Sequence, residues 1–277
     1  MIPVIDTHCH LNMVAEKGIS VSEALANMSQ ANLEAAVLIA VDEATAREHL
    51  AICTTASPGA SPRLYWTAGL HPEGADNISG IEELFAFARS NRDRPDFLGI
   101  GETGLDYYHT TEHVTNQKES FSRHLAIAAE LAVPTVVHLR DSQKFEPGKI
   151  QSILDAESLI RQSGATGVIH CFTYGFEEAM RFVEMGWFIS FSGIVTYKNA
   201  DVIQDAAIRL PLDRILVETD APFLTPGAVR GKPNQPAYVR HTLDFVAQIR
   251  SAKTGESTQQ IANAILENSR RFLALKK

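Results

Sequence analysis

The stretch Ile5-Asp6-Thr7-His8-Cys9-His10, close to the start of the chain, decides how the rest is read. It extends an apolar run from Val4, as a buried strand would, and side chains alternate along a strand. His8 and His10 therefore share one face while Cys9 lies on the other. Two imidazoles on one face are a metal-ligand pair, because imidazole is the commonest protein ligand for a transition metal. His-x-His is short and common, so its weight depends on whether the chain brings it further ligands.

Downstream, apolar runs of strand length alternate with segments of helical periodicity. The spacing predicts helices over 21–30, 43–56, 81–90, 116–132, 150–162, 176–185, 200–207, 236–251 and 257–273. Strands are predicted over 35–41, 63–70, 97–101, 135–139, 167–170, 187–191 and 214–218. Asp42 is placed to cap the second helix, Ser57-Pro58-Gly59 breaks the chain after it, and Pro134 and Gly186 punctuate later junctions. With the first strand this makes eight short strands separated by helices in 277 residues, without linker or low-complexity stretch. That is the pattern of one (β/α)8 TIM barrel spanning 1–277. The alternative, a doubly wound open sheet, lacks its glycine-rich phosphate turn after the first strand.

Composition narrows the function classes. Hydrophobic residues at 45% and charged residues at 21% are ordinary for a soluble globular protein with a large core. No apolar run is long enough to span a bilayer, and the N-terminus has neither the basic nor the apolar region of a signal peptide, so a cytoplasmic, non-membrane protein is expected. Three cysteines (Cys9, Cys53, Cys171) suit a reducing compartment. A balance of 25 basic against 33 acidic residues argues against broad coating of nucleic acid, while leaving room for a local basic rim. A monomer is the expected state.

Active sites of such barrels gather at the C-terminal ends of the strands. Those ends carry His8, His10, Glu102, His138, His170 and Asp220. Six such groups on one mouth would be buried polar atoms without partners unless a cation bound them.

Several stretches carry a family resemblance. Ile5 to Leu11, Gly69-Leu70-His71-Pro72, Gly101-Glu102-Thr103-Gly104-Leu105-Asp106-Tyr107, His138-Leu139-Arg140, His170-Cys171-Phe172 and Glu218-Thr219-Asp220-Ala221-Pro222 resemble, in order, the motifs of TatD-related metal-dependent hydrolases. Gly193 to Asn199 and Arg230-Gly231-Lys232-Pro233-Asn234 are similar as well. The resemblance implies a TIM-barrel hydrolase of the amidohydrolase superfamily with a divalent metal centre. It also implies nuclease activity, often 3′-to-5′ exonucleolytic on DNA; related barrels cleave amides and esters. Two places depart from the pattern: Thr173-Tyr174-Gly175 where the family usually has Ser-Gly, and a longer segment over 141–149.

Ligand chemistry then suggests roles. His8, His10 and Asp220 would form one metal site and His138 with His170 the other, bridged by Glu102, with Asp220 also receiving the proton of an attacking water. Four imidazoles favour zinc, manganese or cobalt over magnesium, which the phosphodiester reading keeps in play. Asp6 and Glu218 are expected to orient imidazoles, and Cys9 and Cys171 to face the core. His71 would reach substrate phosphate or cap the next loop. Arg140, Lys198, Arg230 and Lys232 form a cationic rim for a single-stranded or 3′-terminal DNA substrate, and Tyr174 and Phe223 are placed to stack its terminal base. The alternatives are an aminoacyl-ester or amide hydrolase on the same centre, and a barrel scaffold without turnover.

Overall fold

The computed structural model describes residues 2–56, 62–76, 78–108, 112–142 and 148–276. Eight strands, β1 (Val4–Cys9), β2 (Leu33–Leu38), β3 (Arg63–Ala68), β4 (Phe97–Asp106), β5 (Thr135–Arg140), β6 (Gly167–Ile169), β7 (Phe188–Phe191) and β8 (Ile215–Val217), pair in parallel and in chain order. The seam is closed by the chain just past β8. There the Asp220 N–H donates to the His8 carbonyl at 2.9 Å and the His10 N–H to the Ala221 carbonyl at 2.8 Å. The Thr219 amide and hydroxyl both donate to the Asp6 carboxylate, at 2.9 and 2.6 Å. The result is the (β/α)8 barrel that the alternation predicts.

Among the described residues ten α-helices surround it: α1 (Leu11–Glu16), α2 (Val21–Gln30), α3 (Glu43–Thr55), α4 (Ile81–Asn91), α5 (Val114–Leu131), α6 (Gln151–Ser163), α7 (Phe176–Val183), α8 (Asp201–Arg209), α9 (Val239–Thr254) and α10 (Thr258–Leu273). Helix α2 has the predicted bounds, and Asp42 caps α3 in a reciprocal pair with Thr45. The short α1 has no counterpart in the sequence reading, and residues 236–238 form a 3-10 turn ahead of α9. The break at Ser57-Pro58-Gly59 lies outside the described residues, as does most of 141–149.

Strand alternation sorts the core into two main clusters, with a smaller one of Ile5, Ala35 and Leu266 beside them. Outward side chains such as Trp66, Phe97, Val137 and Ile189 pack under the helices with Phe121 and Phe182. The barrel interior holds Val37, Ile39, Leu98, Val136, Val168, Phe188 and Leu216, with Phe272 of α10 packed edge-on against Phe188 at 6.1 Å between ring centroids.

One strand departs from prediction in a way that matters. β4 was expected over 97–101, but it continues to Asp106. Gly101 (φ +148°) and Gly104 (φ +140°) lie within it, and a Cβ on Gly104 would sit 2.0 Å from the His138 carbonyl oxygen. Only glycine lets β4 lie that close to β5, and glycine's weak strand preference is what hid the second half of the strand.

Candidate metal centre

The mouth of the barrel brings together all six predicted donors. Nε2 of His8 and Nε2 of His10 are 3.2 Å apart. Both face Oδ1 of Asp220, at 3.5 and 3.4 Å, and Oε2 of Glu102, at 3.4 and 3.7 Å. The other oxygen of Glu102, Oε1, is 2.8 Å from His170 Nε2, 3.1 Å from His138 Nδ1 and 3.5 Å from His71 Nε2. Glu102 thus has one oxygen in each of two donor clusters. Oε2 lies among His8, His10 and Asp220 and Oε1 among His170, His138 and His71, while His8, His170 and Asp220 are also close enough to one another to hold one ion together. The His8 ring also stacks on His170 at 3.8 Å, so the clusters share a wall.

These distances suit a cation. Donors about 3.4 Å apart at the corners of a tetrahedron lie ~2.1 Å from its centre, within the range of zinc bonds to imidazole nitrogen and carboxylate oxygen. The charges point the same way. Burial alone would raise the Glu102 pKa, yet His170, His71 and His8 hold it well below the ordinary carboxylate value. Burial likewise opposes ionisation of Asp220 and is outweighed by His10, His8 and His170, which lower its pKa. Conversely, His170 is held well above its ordinary value, against its burial, by Glu102 and Glu218, and His138 reaches about 8, against its burial, through Asp106 and Glu102. Ionised carboxylates at a buried site draw positive charge onto the rings around them, which is the demand a divalent cation satisfies. His8 and His71 go the other way, His71 to about 4, because burial dominates.

The rear nitrogens of the rings have different partners. His10 Nδ1 bonds the Ile39 carbonyl at 2.9 Å, and His170 Nδ1 faces Glu218 Oε1 at 3.3 Å, an oxygen that also accepts the Cys171 N–H at 2.6 Å. Buried His8 Nδ1 has no hydrogen-bond partner among the described residues. Glu218 therefore orients an imidazole as expected. Asp6 does not: its oxygens are taken by the Thr219 amide and hydroxyl and the His8 amide, so it ties the seam of the barrel instead.

A cavity of about 830 Å³ opens above the donors, lined by His10, Glu102, His138, His170 and Asp220. Its walls are largely apolar, with Met13, Val41, Leu70, Leu139, Ile194, Phe223 and Leu224. Among the described residues its lining Lys or Arg is Arg140, stacked on the Tyr108 ring at 3.6 Å. Lys198, Arg230 and Lys232 are exposed and do not line it, and Arg230 lies over Tyr197 at 5.1 Å. Phe223, half exposed, stands edge-on to His10. Of the two roles expected for His71 the structure shows the cap: Nδ1 accepts the Glu73 N–H, while Nε2 faces Glu102.

Two further expectations are corrected. Tyr174 is buried, its hydroxyl donating to Asp141 at 2.8 Å and lying 3.0 Å from Ser152 Oγ, so it anchors the start of α6 and cannot stack a base. Cys171 borders the cavity instead of the core, because β6 ends at Ile169 and a left-handed φ of +43° breaks the alternation; Cys9 is buried as expected. Asp106 was not singled out as a functional residue. It follows Glu102 at strand spacing, a signal visible only if β4 is carried past Gly101.

The profile of the family described as TatD-related DNase matches residues 5–274. The uncharacterized metal-dependent hydrolase YcfH of Escherichia coli K12 is 34% identical over 274 residues, covering 97% of this chain and 95% of its own. YabD of Bacillus subtilis, likewise described as an uncharacterized metal-dependent hydrolase, is 30% identical over 275 residues, covering 98% and 99%. Among solved structures, YjjV, a TatD homologue from Escherichia coli K12, superposes with a TM-score of 0.80 at 25% identity and covers 97% of each chain.

Proposed function

We propose, from the premise that this chain belongs to the TatD-related DNase family and is a metal-dependent hydrolase, that it cleaves phosphodiester bonds at DNA ends, working 3′ to 5′. The observation that carries this reading is the division of the Glu102 carboxylate between two donor clusters beneath one open cavity. Two divalent ions of the zinc, manganese or magnesium class held by His8, His10, Glu102, His138, His170 and Asp220 would lower the pKa of an attacking water and neutralise charge on the phosphoryl oxygens.

The remaining roles belong to the chain's own side chains. Asp220, ionised and edging the cavity, accepts the proton of the attacking water. Arg140, fixed against Tyr108, receives a phosphate of the bound strand. Phe223 offers an exposed aromatic face beside His10 for the terminal base. Lys198 and Arg230, outside the cavity, would meet the strand farther from the cleaved bond. His71, lining the cavity beside Glu102, would meet a phosphate oxygen of the bound strand.

The apolar cavity walls favour a second reading, hydrolysis of an aminoacyl ester or amide whose hydrocarbon part fills that space. The test gives chelated and metal-reloaded protein a 3′-labelled single strand, a chromogenic phosphodiester and an aminoacyl ester. Metal-dependent release of mononucleotides from the strand supports the nuclease reading. Turnover of the ester alone replaces it with the second.

A further inference from the structure

The rings that face Glu102 do not all present the same nitrogen. His8, His10, His71 and His170 point Nε2 inward, whereas His138 points Nδ1. A reversed ring needs something behind it. His138 Nε2 lies 2.9 Å from Oδ2 of Asp106, a residue only 3% exposed. The other oxygen of that carboxylate accepts the Tyr108 N–H at 2.8 Å. Asp106 is gripped through its backbone as well. Its N–H donates to Gln117 Oε1 at 2.9 Å, and Gln117 Nε2 donates to its carbonyl at 3.0 Å, so a buried side chain of α5 pairs with the end of β4 much as a neighbouring strand would.

We propose that Asp106, clamped by Gln117, is the positioning residue that fixes the proton of His138 on Nε2 and leaves the Nδ1 lone pair aimed into the centre. This rests on His138 being a metal ligand. An ionised carboxylate only accepts, so the nitrogen facing Asp106 must carry hydrogen, and a neutral imidazole then has its lone pair on the other nitrogen. A second carboxylate competes for that proton, since Glu102 Oε1 is 3.1 Å from Nδ1. Without Asp106 the neutral ring gains a hydrogen bond by carrying its proton on Nδ1 toward Glu102, which turns a donor atom into a blocked one. Asp106 thus decides which of two facing carboxylates holds the ring's hydrogen. The same short segment sets Arg140: the Tyr107 N–H donates to the Arg140 carbonyl at 2.8 Å, and the Tyr108 ring lies under its guanidinium.

Two measurements on Asp106→Ala test the proposal. Nitrogen NMR of histidine-labelled, metal-free protein in alkaline buffer, where imidazoles are neutral, should show His138 as the Nε2–H tautomer in the parent and as Nδ1–H in the variant. Titration with zinc or manganese should show one site weakened about 10- to 100-fold, the scale of losing a partner behind a ligating histidine, while the other keeps its affinity. An unchanged tautomer together with two unchanged affinities overturns the proposal. If Asp106→Ala does not fold, Gln117→Met keeps the carboxylate and releases its clamp; a mixed His138 tautomer supports the proposal and the parental spectrum overturns it. A parent that binds no divalent ion defeats the metal-centre reading, and the tautomer comparison still decides the role of Asp106.

Discussion

The interior of this barrel has two levels built by the same rule. On β5 the inward residues are Val136 and then His138; the chain of β6 carries Val168 and then His170, and that of β8 Leu216 and then Glu218. Two residues of strand, about 6.6 Å, separate hydrocarbon from ionisable side chains. The lower level is sealed by Phe272 and consists of groups that gain by leaving water. The upper level consists of groups that lose by it and stay because they face one another around Glu102. Within the barrel, hydrocarbon thus lies below and the ionisable groups above, with the shared strand backbone as the link.

If that division is right, substitutions at the two levels separate cleanly. The largest effect is expected from Asp220→Asn, which should lower turnover by roughly 10²- to 10⁴-fold, the range of a lost general base, with little change in thermal midpoint. Near-parental turnover would remove Asp220 from that role. Phe272→Ala should behave in reverse, costing about 3–5 kcal/mol of stability in denaturant titration while the folded fraction keeps its kcat/KM. A loss of activity per folded molecule would show that the levels are coupled.

Removing metal comes next. At 100 times Kd a divalent ion bound only by the folded state adds ~2.7 kcal/mol, so chelation should lower the thermal midpoint by a similar increment in the parent and in Phe272→Ala. A midpoint indifferent to every divalent ion would break the comparison at its upper level.

The smallest effect, read over the first pH unit below 6.5, sharpens it by contrast. His124 lies outside the mouth, Nδ1 bonded to the Ser120 carbonyl at 2.7 Å and Nε2 accepting the Leu70 N–H at 3.0 Å, and burial drives its pKa down to about 4. The unfolded chain takes up this proton near pH 6.5, ahead of the folded one. Its contribution is therefore complete above pH 6.5 and is lost as pH falls toward 4, at up to about 1.4 kcal/mol per pH unit. His124→Gln should flatten the stability profile in that window; an unchanged slope would show that His124 does not set it.

Much of this was legible because it is periodic. Alternation of apolar runs and helical stretches foretold the barrel, and strand ends located the donors. Legibility failed where a neighbour overrides local preference. Glycines that admit the backbone of β5 disguised the end of β4, and Asp106 disappeared with it. Tyr174 reads as an aromatic beside a ligand, but Asp141 and Ser152, distant in sequence, draw it inward. Lys198 and Arg230 follow strand ends as rim cations should, yet loops carry them past the cavity edge, and no residue pattern records how far a loop reaches.

The seam between the first strand and the chain past the last has a consequence in time. Asp6 and Thr219 are 213 positions apart, and the donors His8 and Asp220 flank their bond. Contacts of such long range form late, since the loop they close is nearly the whole protein. During synthesis the first histidines leave the ribosome long before their aspartate, and domains complete as units only once their last element arrives. The cluster that joins His8 and His10 to Asp220 is therefore complete only in a chain whose ring has closed.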